Sequence, residues 1–212
     1  MDLTLIVGNI ATVCTIGSAF SGLPICLEFF RKKSTANVPV LPFLAGWICT
    51  SLWLQYSLML GDTMMQVVNW TCSILQAIYV LCYNIATTDK KNTQQMTSVA
   101  VCFLVATYAF GFHIATKATV MNIFGLMAAV SSVLASAAPL ATVKTILKTK
   151  NSVSLPLPII FSTFIVTSLW FFYGILVENS FIQVPNLISA IISVLQLILI
   201  AVYPSKKAVK ED

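Results

Sequence analysis

Charged residues divide the chain into seven long runs that contain none. The runs cover residues 3–27, 34–61, 63–88, 92–116, 118–143, 151–177 and 179–205, each 25 to 28 residues long. A helix rising 1.5 Å per residue needs ~20 mostly apolar residues to cross ~30 Å of hydrocarbon, so every run is long enough to span once. Stretches such as "SVAVCFLVATYAFGF" and "ISAIISVLQLILIAVY" are near-continuously apolar. None alternates in polarity over the ~10 residues of a membrane barrel strand. With no water in hydrocarbon to satisfy an open backbone, the pattern predicts helices.

Composition sharpens this. Of 212 residues, 58% are hydrophobic and 9% charged, which excludes a soluble enzyme, a nucleic-acid reader and a disulfide-stapled secreted domain. With seven spans the loops alternate sides. Arg31, Lys32, Lys33, Lys90, Lys91, Lys144, Lys148, Lys150, Lys206, Lys207 and Lys210 then share one side, and only Lys117 falls on the other. The positive-inside bias puts the N-terminus outside and the C-terminus in the cytosol. The plasma membrane is the expected location, with an intracellular membrane the alternative. The cations come in clusters of three or fewer, so they read as topology signals rather than a lipid-specific patch. The first run is too long for a signal-peptide core and lacks a basic leader, so it is expected to be a span. Cys14, Cys26, Cys49, Cys72, Cys82 and Cys102 all lie inside runs without a C-x-x-C pair, and read as packing residues rather than metal ligands. Nothing calls for a metal or a cofactor.

The chain repeats itself. "SLWLQY" at Ser51–Tyr56 returns as "SLWFFY" at Ser168–Tyr173, and "QVVNW" at Gln66–Trp70 returns as "QVPNL" at Gln183–Leu187, both at an offset of 117. Pro24 has a partner in Pro139, each followed by a basic segment, and the stretch before Pro42 is echoed before Pro156 and Pro158. Three spans per copy is odd, so a directly joined second copy would be inverted. A single extra span restores the direction. The expected fold is all-α integral membrane, seven transmembrane helices as two parallel three-helix repeats joined by a linker helix (3+1+3). The expected boundaries are 1–88 for the first repeat, 89–120 for the linker, 121–205 for the second repeat and 206–212 for a cytosolic tail.

Depth follows from counting. Asn69, Asn186, Trp53 and Trp170 all fall seven to nine residues from the outer edges of their runs, a layer ~10–13 Å deep. The prolines lie nearer the inner edges. An amide in hydrocarbon must find a partner, and its two donors and one acceptor suit adjacent hydroxyls on a sugar ring. Indoles offer a polarised face for stacking. For one Asn, bonding across helices is the simpler account, but two symmetry-related Asn level with two symmetry-related Trp favour a ligand site. The prolines fit a hinge or gate, although Pro42 and Pro156 could equally sit in first helical turns, where a missing N–H costs nothing.

The 3+1+3 layout, "KKST" before "LPF", the S-x-x-P motifs of spans one and five and the Pro185-Asn186 pair resemble the SWEET (MtN3/saliva) sugar facilitators over residues 3–203. The resemblance implies that Asn69, Asn186 and Trp170 line a sugar pocket, with Trp53 at the position symmetric to Trp170. It also implies hinge prolines at Pro24, Pro42, Pro139 and, by its spacing to Trp170, Pro156, with Pro158 the neighbouring alternative. Tyr56 matches the tyrosine of an outer gate, but its acidic partner position is Asn179 here, which leaves Glu178 or Asp62 as substitutes. A homo-oligomer is suggested by the same likeness. Two facing indoles would narrow the site toward hexoses.

The acids, Asp2, Glu28, Asp62, Asp89, Glu178, Glu211 and Asp212, all lie at or near run ends, and His113 reads as interfacial. No carboxylate sits where a proton-coupled carrier would need one. The expectation is a passive, bidirectional sugar uniporter working by alternating access. Its partners would be a small neutral sugar and the bilayer, not nucleic acid. An intramembrane enzyme lacks its base or paired acids. A carrier of other neutral solutes such as amino acids, or a seven-helix cargo or ligand receptor, is the alternative.

Overall fold

The structure is a computed structural model and describes residues 2–35, 38–113, 117–137 and 140–204. The helices are α1 (Leu3–Ala19), α2 (Leu23–Lys32), α3 (Leu41–Leu60), α4 (Thr63–Ala86), α5 (Lys90–His113), α6 (Lys117–Ala137), α7 (Leu140–Thr149), α8 (Leu157–Leu176) and α9 (Ser180–Val202). A short 3-10 turn, Phe20–Gly22, separates α1 from α2. No strand occurs among the described residues. Pro139, the side chain of His113 and the tail 206–212 lie outside the described residues.

Among the described residues, six stretches are long and apolar enough to cross a membrane: Leu3–Lys32, α3, α4, α6, α8 and α9. Helix α5 has 24 residues, ample length, but its opening "KKNTQQ" lowers its apolar share. Val13, Val99, Leu134 and Val153 are among many exposed apolar side chains, as lipid-facing surfaces require.

The first run is not one continuous helix, and the basic residues after it are not in a loop. Leu23 N–H turns back to Phe20 O, one residue short of the α-helical step, so the chain tightens here. The Tyr79 hydroxyl donates to Ala19 O at 2.9 Å, and its ring lies against Gly22. Arg31, Lys32 and Lys148 then occupy the last turns of α2 and α7, where cations favour a helix C-terminus.

The two copies reuse backbone geometry. Helices α2 and α7 stop at Lys33 and Lys150, both left-handed (φ 48 and 52), and those positions are 117 apart. The α3–α4 turn uses Gly61 (φ 79), and the α8–α9 turn uses Glu178 (φ 52), again 117 apart. Each turn is followed by a side-chain cap. Asp62 Oδ1 accepts from Met65 N–H, and Asn179 Oδ1 accepts from Phe181 and Ile182 N–H.

Two compact units form. In the unit Thr12–Ser131, the α3–α4 hairpin is the centre, and α2 and α5 pack on it. Phe29, Phe43 and Tyr83 make an aromatic cluster there, with Phe29 and Tyr83 rings edge to face at 5.5 Å. Polar ties hold the helices where hydrocarbon gives no hydrophobic drive. The Ser51 and Ser73 hydroxyls join α3 to α4 at 2.9 Å, and Gln55 Nε2 donates to Thr107 on α5 at 3.1 Å. The other unit takes residues up to Ala11 and from Ser132 onward. Its centre is the α8–α9 hairpin, joined by α7 and, through the Ser136–Ser189 hydroxyl pair, by α6. Ile146, Leu155 and Ile160 are its buried apolar cluster.

Candidate substrate site

Each hairpin carries one indole, one tyrosine and one amide at matching places. On α3, Trp53 and Tyr56 are one turn apart, their rings edge to face at 5.8 Å and 76°. On α8, Trp170 and Tyr173 repeat this at 5.3 Å and 83°. Tyr56, Tyr173 and Trp170 are buried, and Trp53 is half-buried. An indole braced by a neighbouring ring presents a fixed face to whatever packs on it.

Asn69 is the seventh residue of α4 and Asn186 the seventh of α9, so both stand ~9 Å beyond their helix starts. Each donates one Nδ2 proton to the carbonyl one turn back: Asn69 to Met65 O and Asn186 to Ile182 O, both at 2.8 Å. These bonds stay within each helix rather than crossing to a neighbour. They orient the amide, which still has a second N–H and a carbonyl oxygen to offer. Asn69 is only 9% exposed. Pro185 lies inside α9 directly before Asn186 and has no N–H to return to the preceding turn.

A pair that sequence reasoning passed over fixes the hairpins themselves. Gln66 Nε2 donates to Ser57 O at 3.2 Å, and Gln183 Nε2 donates to Gly174 O at 2.9 Å. These glutamines stand three residues before the two asparagines and lock α4 and α9 onto the ends of α3 and α8. Their signal in the sequence is the repeated Gln-Val pair, which marks the duplication but not the carbonyl its first residue reaches. The approach at Gly174 is so close that a Cβ there would lie 2.9 Å from Gln183 N.

The prolines sit at helix starts. Pro24 opens α2 and Pro42 opens α3, while Pro156 is the N-cap of α8 and Pro158 lies in its first turn. At these places the missing N–H leaves no bond unmade. The helix start at Pro24 is nevertheless a break within a longer span, and it is there that Tyr79 ties the two parts together. Asp62 and Asn179 act as helix caps, and Glu178 is an exposed turn residue. Trp53, Tyr56, Asn69, Pro24 and Pro42 belong to the unit Thr12–Ser131; Trp170, Asn186 and Pro156 belong to the other.

Comparison with known proteins agrees with this architecture. A family model described as "Sugar efflux transporter for intercellular exchange" matches the chain twice, over residues 5–92 and 122–208. The chain is 35% identical to the sugar transporter SWEET1 of Drosophila pseudoobscura pseudoobscura, covering 92% of this chain and 88% of that protein. It is 31% identical to the sugar transporter SWEET1 of Caenorhabditis elegans, covering 93% of this chain and 64% of that protein. A eukaryotic SWEET transporter solved at 3.7 Å superimposes with a TM-score of 0.87 at 20% identity, over 97% of this chain and 100% of that one. That likeness shows an all-α fold of seven membrane helices in a 3+1+3 layout. The chain is a multi-pass integral membrane protein of the MtN3/saliva (SWEET) family, a family of transporters and not of enzymes.

Proposed function

We propose that this protein carries neutral sugars across its membrane as a passive, bidirectional uniporter, with monosaccharides such as glucose favoured. Sugar transport itself is supported by the family match and by relatives named as sugar transporters. The observation that carries the finer reading is the duplicated amide and indole. Asn69 with Trp53 and Asn186 with Trp170 stand at matching positions of their own hairpins, each amide oriented by its own helix and each indole braced by a tyrosine. Amides and ring faces suit hydroxyls and C–H faces of a pyranose, and they give an ion nothing to couple to.

In this reading the sugar is bonded to Asn69 and Asn186 and flanked by the two indoles. Alternating access then uses Pro24, Pro42, Pro139 and Pro156 as hinges and Tyr56 in the outer gate. The organisation that goes with it is a first repeat over 1–88, a linker over 89–120 and a second repeat over 121–205. The charge pattern favours an N-terminus outside and a C-terminus in the cytosol, with the plasma membrane the expected membrane and an intracellular one the alternative. We also propose that the chain assembles as a homo-oligomer, a reading the family likeness favours.

Tracer flux into proteoliposomes tests the proposal. Glucose equilibrates without accumulating, and Asn69→Ala, Asn186→Ala and Trp170→Ala abolish the flux while the protein stays folded. Wild-type flux in the Asn variants would refute the site, and disaccharide flux equal to glucose would refute the hexose preference.

A further inference from the structure

Helix α5 is tied to its two neighbours at different heights. Near its start, Asn84 Nδ2 of α4 donates to the Thr97 hydroxyl at 3.0 Å, and Lys90 Nζ donates to Asn84 O and Ile85 O at 2.6 and 2.7 Å. The tie to α3, from Gln55 to Thr107, comes ten residues further on, ~15 Å along the helix. The start of α5 is therefore drawn onto α4, and the seam it shares with α3 stays open there. That seam is a groove of about 560 Å³, walled by Leu41, Ala45 and Ile48 of α3 and by Met96, Val99 and Phe103 of α5. Leu44 and Ala100, both buried, form its floor. Such a volume is within the ~300–1,000 Å³ of small-molecule sites.

The groove has a polar mouth and an apolar body. Asn92 and Gln95, both exposed, are the polar residues of its lining, and α3 and α5 both begin at that end. Lys91, also exposed, stands one turn before Gln95 on the same side of α5, and Lys90 is its neighbour. Asp89 is the one acid beside them, its Oδ1 accepting from Asn92 N–H at 3.4 Å, so the mouth is net basic. From charge alone these lysines read as topology signals; the groove adds a place for the rest of a ligand. Its body runs from Asn92 to Phe103, ~17 Å of α5, about one leaflet of a ~30 Å hydrocarbon layer. Left empty, those walls would lose the dispersion contacts of close packing. A sugar finds nothing to bond along them, and a free anion nothing to fill them with. A molecule with one anionic end and one leaflet-long apolar chain satisfies both parts.

We propose that the α3–α5 groove binds an anionic phospholipid, with one acyl chain between Ala45 and Val99 and the phosphate at Lys91, Asn92 and Gln95. The charge pattern assigns this mouth to the cytosolic leaflet, where anionic lipids gather. The site rests on the membrane location of the chain and not on the sugar reading above.

The test is native mass spectrometry of the full chain in detergent, titrated with phosphatidylglycerol or with phosphatidylcholine of the same acyl chains. The first phosphatidylglycerol is expected to bind about fivefold more tightly than phosphatidylcholine, the effect of one lysine near a lipid phosphate, and Lys91→Gln is expected to remove that preference. Ala45→Phe and Val99→Phe fill the groove from opposite walls at exposed positions. Each is expected to weaken phosphatidylglycerol about tenfold, the loss of about two buried methylenes. Lys91→Gln leaves the walls untouched and serves if a filled variant does not fold. Equal affinity for the two lipids, a preference unchanged by Lys91→Gln, or tight binding that survives both filling substitutions would overturn the site. Displacement of the lipid by an equal concentration of glycerol 1-phosphate would overturn it as well, since a head group alone would then suffice. So would a lipid-free dimer that the filling substitutions dissociate, which would make the groove an interface between copies.

Discussion

The single hydroxyl of Tyr79 can be removed without changing the shape of the first unit. In Tyr79→Phe the ring stays over Gly22, but the hydroxyl bond to Ala19 O across the helix break is lost. A part-buried hydrogen bond of this kind contributes ~0.5–1.5 kcal/mol. For a chain of this size that corresponds to a fall in melting temperature of ~1–6 °C. Gly22→Ala attacks the same tie from the other side. Its Cβ would meet the Tyr79 ring at 2.5 Å, so the ring must swing away and the hydroxyl with it. The two changes should therefore be non-additive, with a coupling of ~0.5 kcal/mol or more, because the second has no bond left to break. Thermal unfolding of the purified full chain, followed by tryptophan fluorescence, gives all three melting points. A Tyr79→Phe melt equal to wild type, or strictly additive losses in the double variant, would refute the role assigned to this tie.

Other consequences are equally direct. Gly174→Ala should destabilise by ~1–3 kcal/mol, because the new Cβ meets the backbone of Gln183 rather than a side chain that can turn aside, and a chemical or thermal melt reads it. Glu178→Gly should raise the melting temperature by ~1–2 °C by relieving a left-handed conformation of φ 52, and should leave sugar flux unchanged; loss of flux would show that the carboxylate has a transport role. Gln183→Leu should cut flux and stability together, since it frees Gly174 O and loosens the start of α9 three residues before Asn186. An imposed pH gradient should give no uphill glucose accumulation in proteoliposomes, and accumulation would overturn the uncoupled mechanism.

The fold was legible because charge exclusion is a coarse signal that lipid enforces along the whole chain. Even the less apolar α5 shows as a charge-free run after Lys91. The break at Phe20–Gly22 was not legible as a break. Pro24 points to a hinge, but the tie across the break, the Tyr79 hydroxyl on Ala19 O, comes from 60 residues away on α4. The same limit hid the roles of Gln66 and Gln183. Their partners are carbonyls, which carry no sequence identity, so only the repeat could mark them. Asn69 and Asn186 were readable because an amide is conspicuous in a span. That their bonds run within the helix, not across it, required coordinates.

Duplication gives these readings a built-in control. Left-handed stops, helix caps, Gln-to-carbonyl bonds, ring pairs and amide bonds recur at 117, although the residues involved are not always the same: Gly61 against Glu178, Asp62 against Asn179, Ser57 against Gly174. What is kept is therefore the geometry of each hairpin and the orientation of its amide, with the local chemistry free to vary around it. Strain at Glu178 shows that the second copy tolerates a cost to hold that turn. Side-chain sizes on the half of α9 beyond Asn186 instead change in both directions: Gln76 and Tyr79 face Ser193 and Gln196 at the offset, while Val80 and Cys82 face Leu197 and Leu199. Changes so placed repack that half while leaving equal the parts that hold the hairpins together.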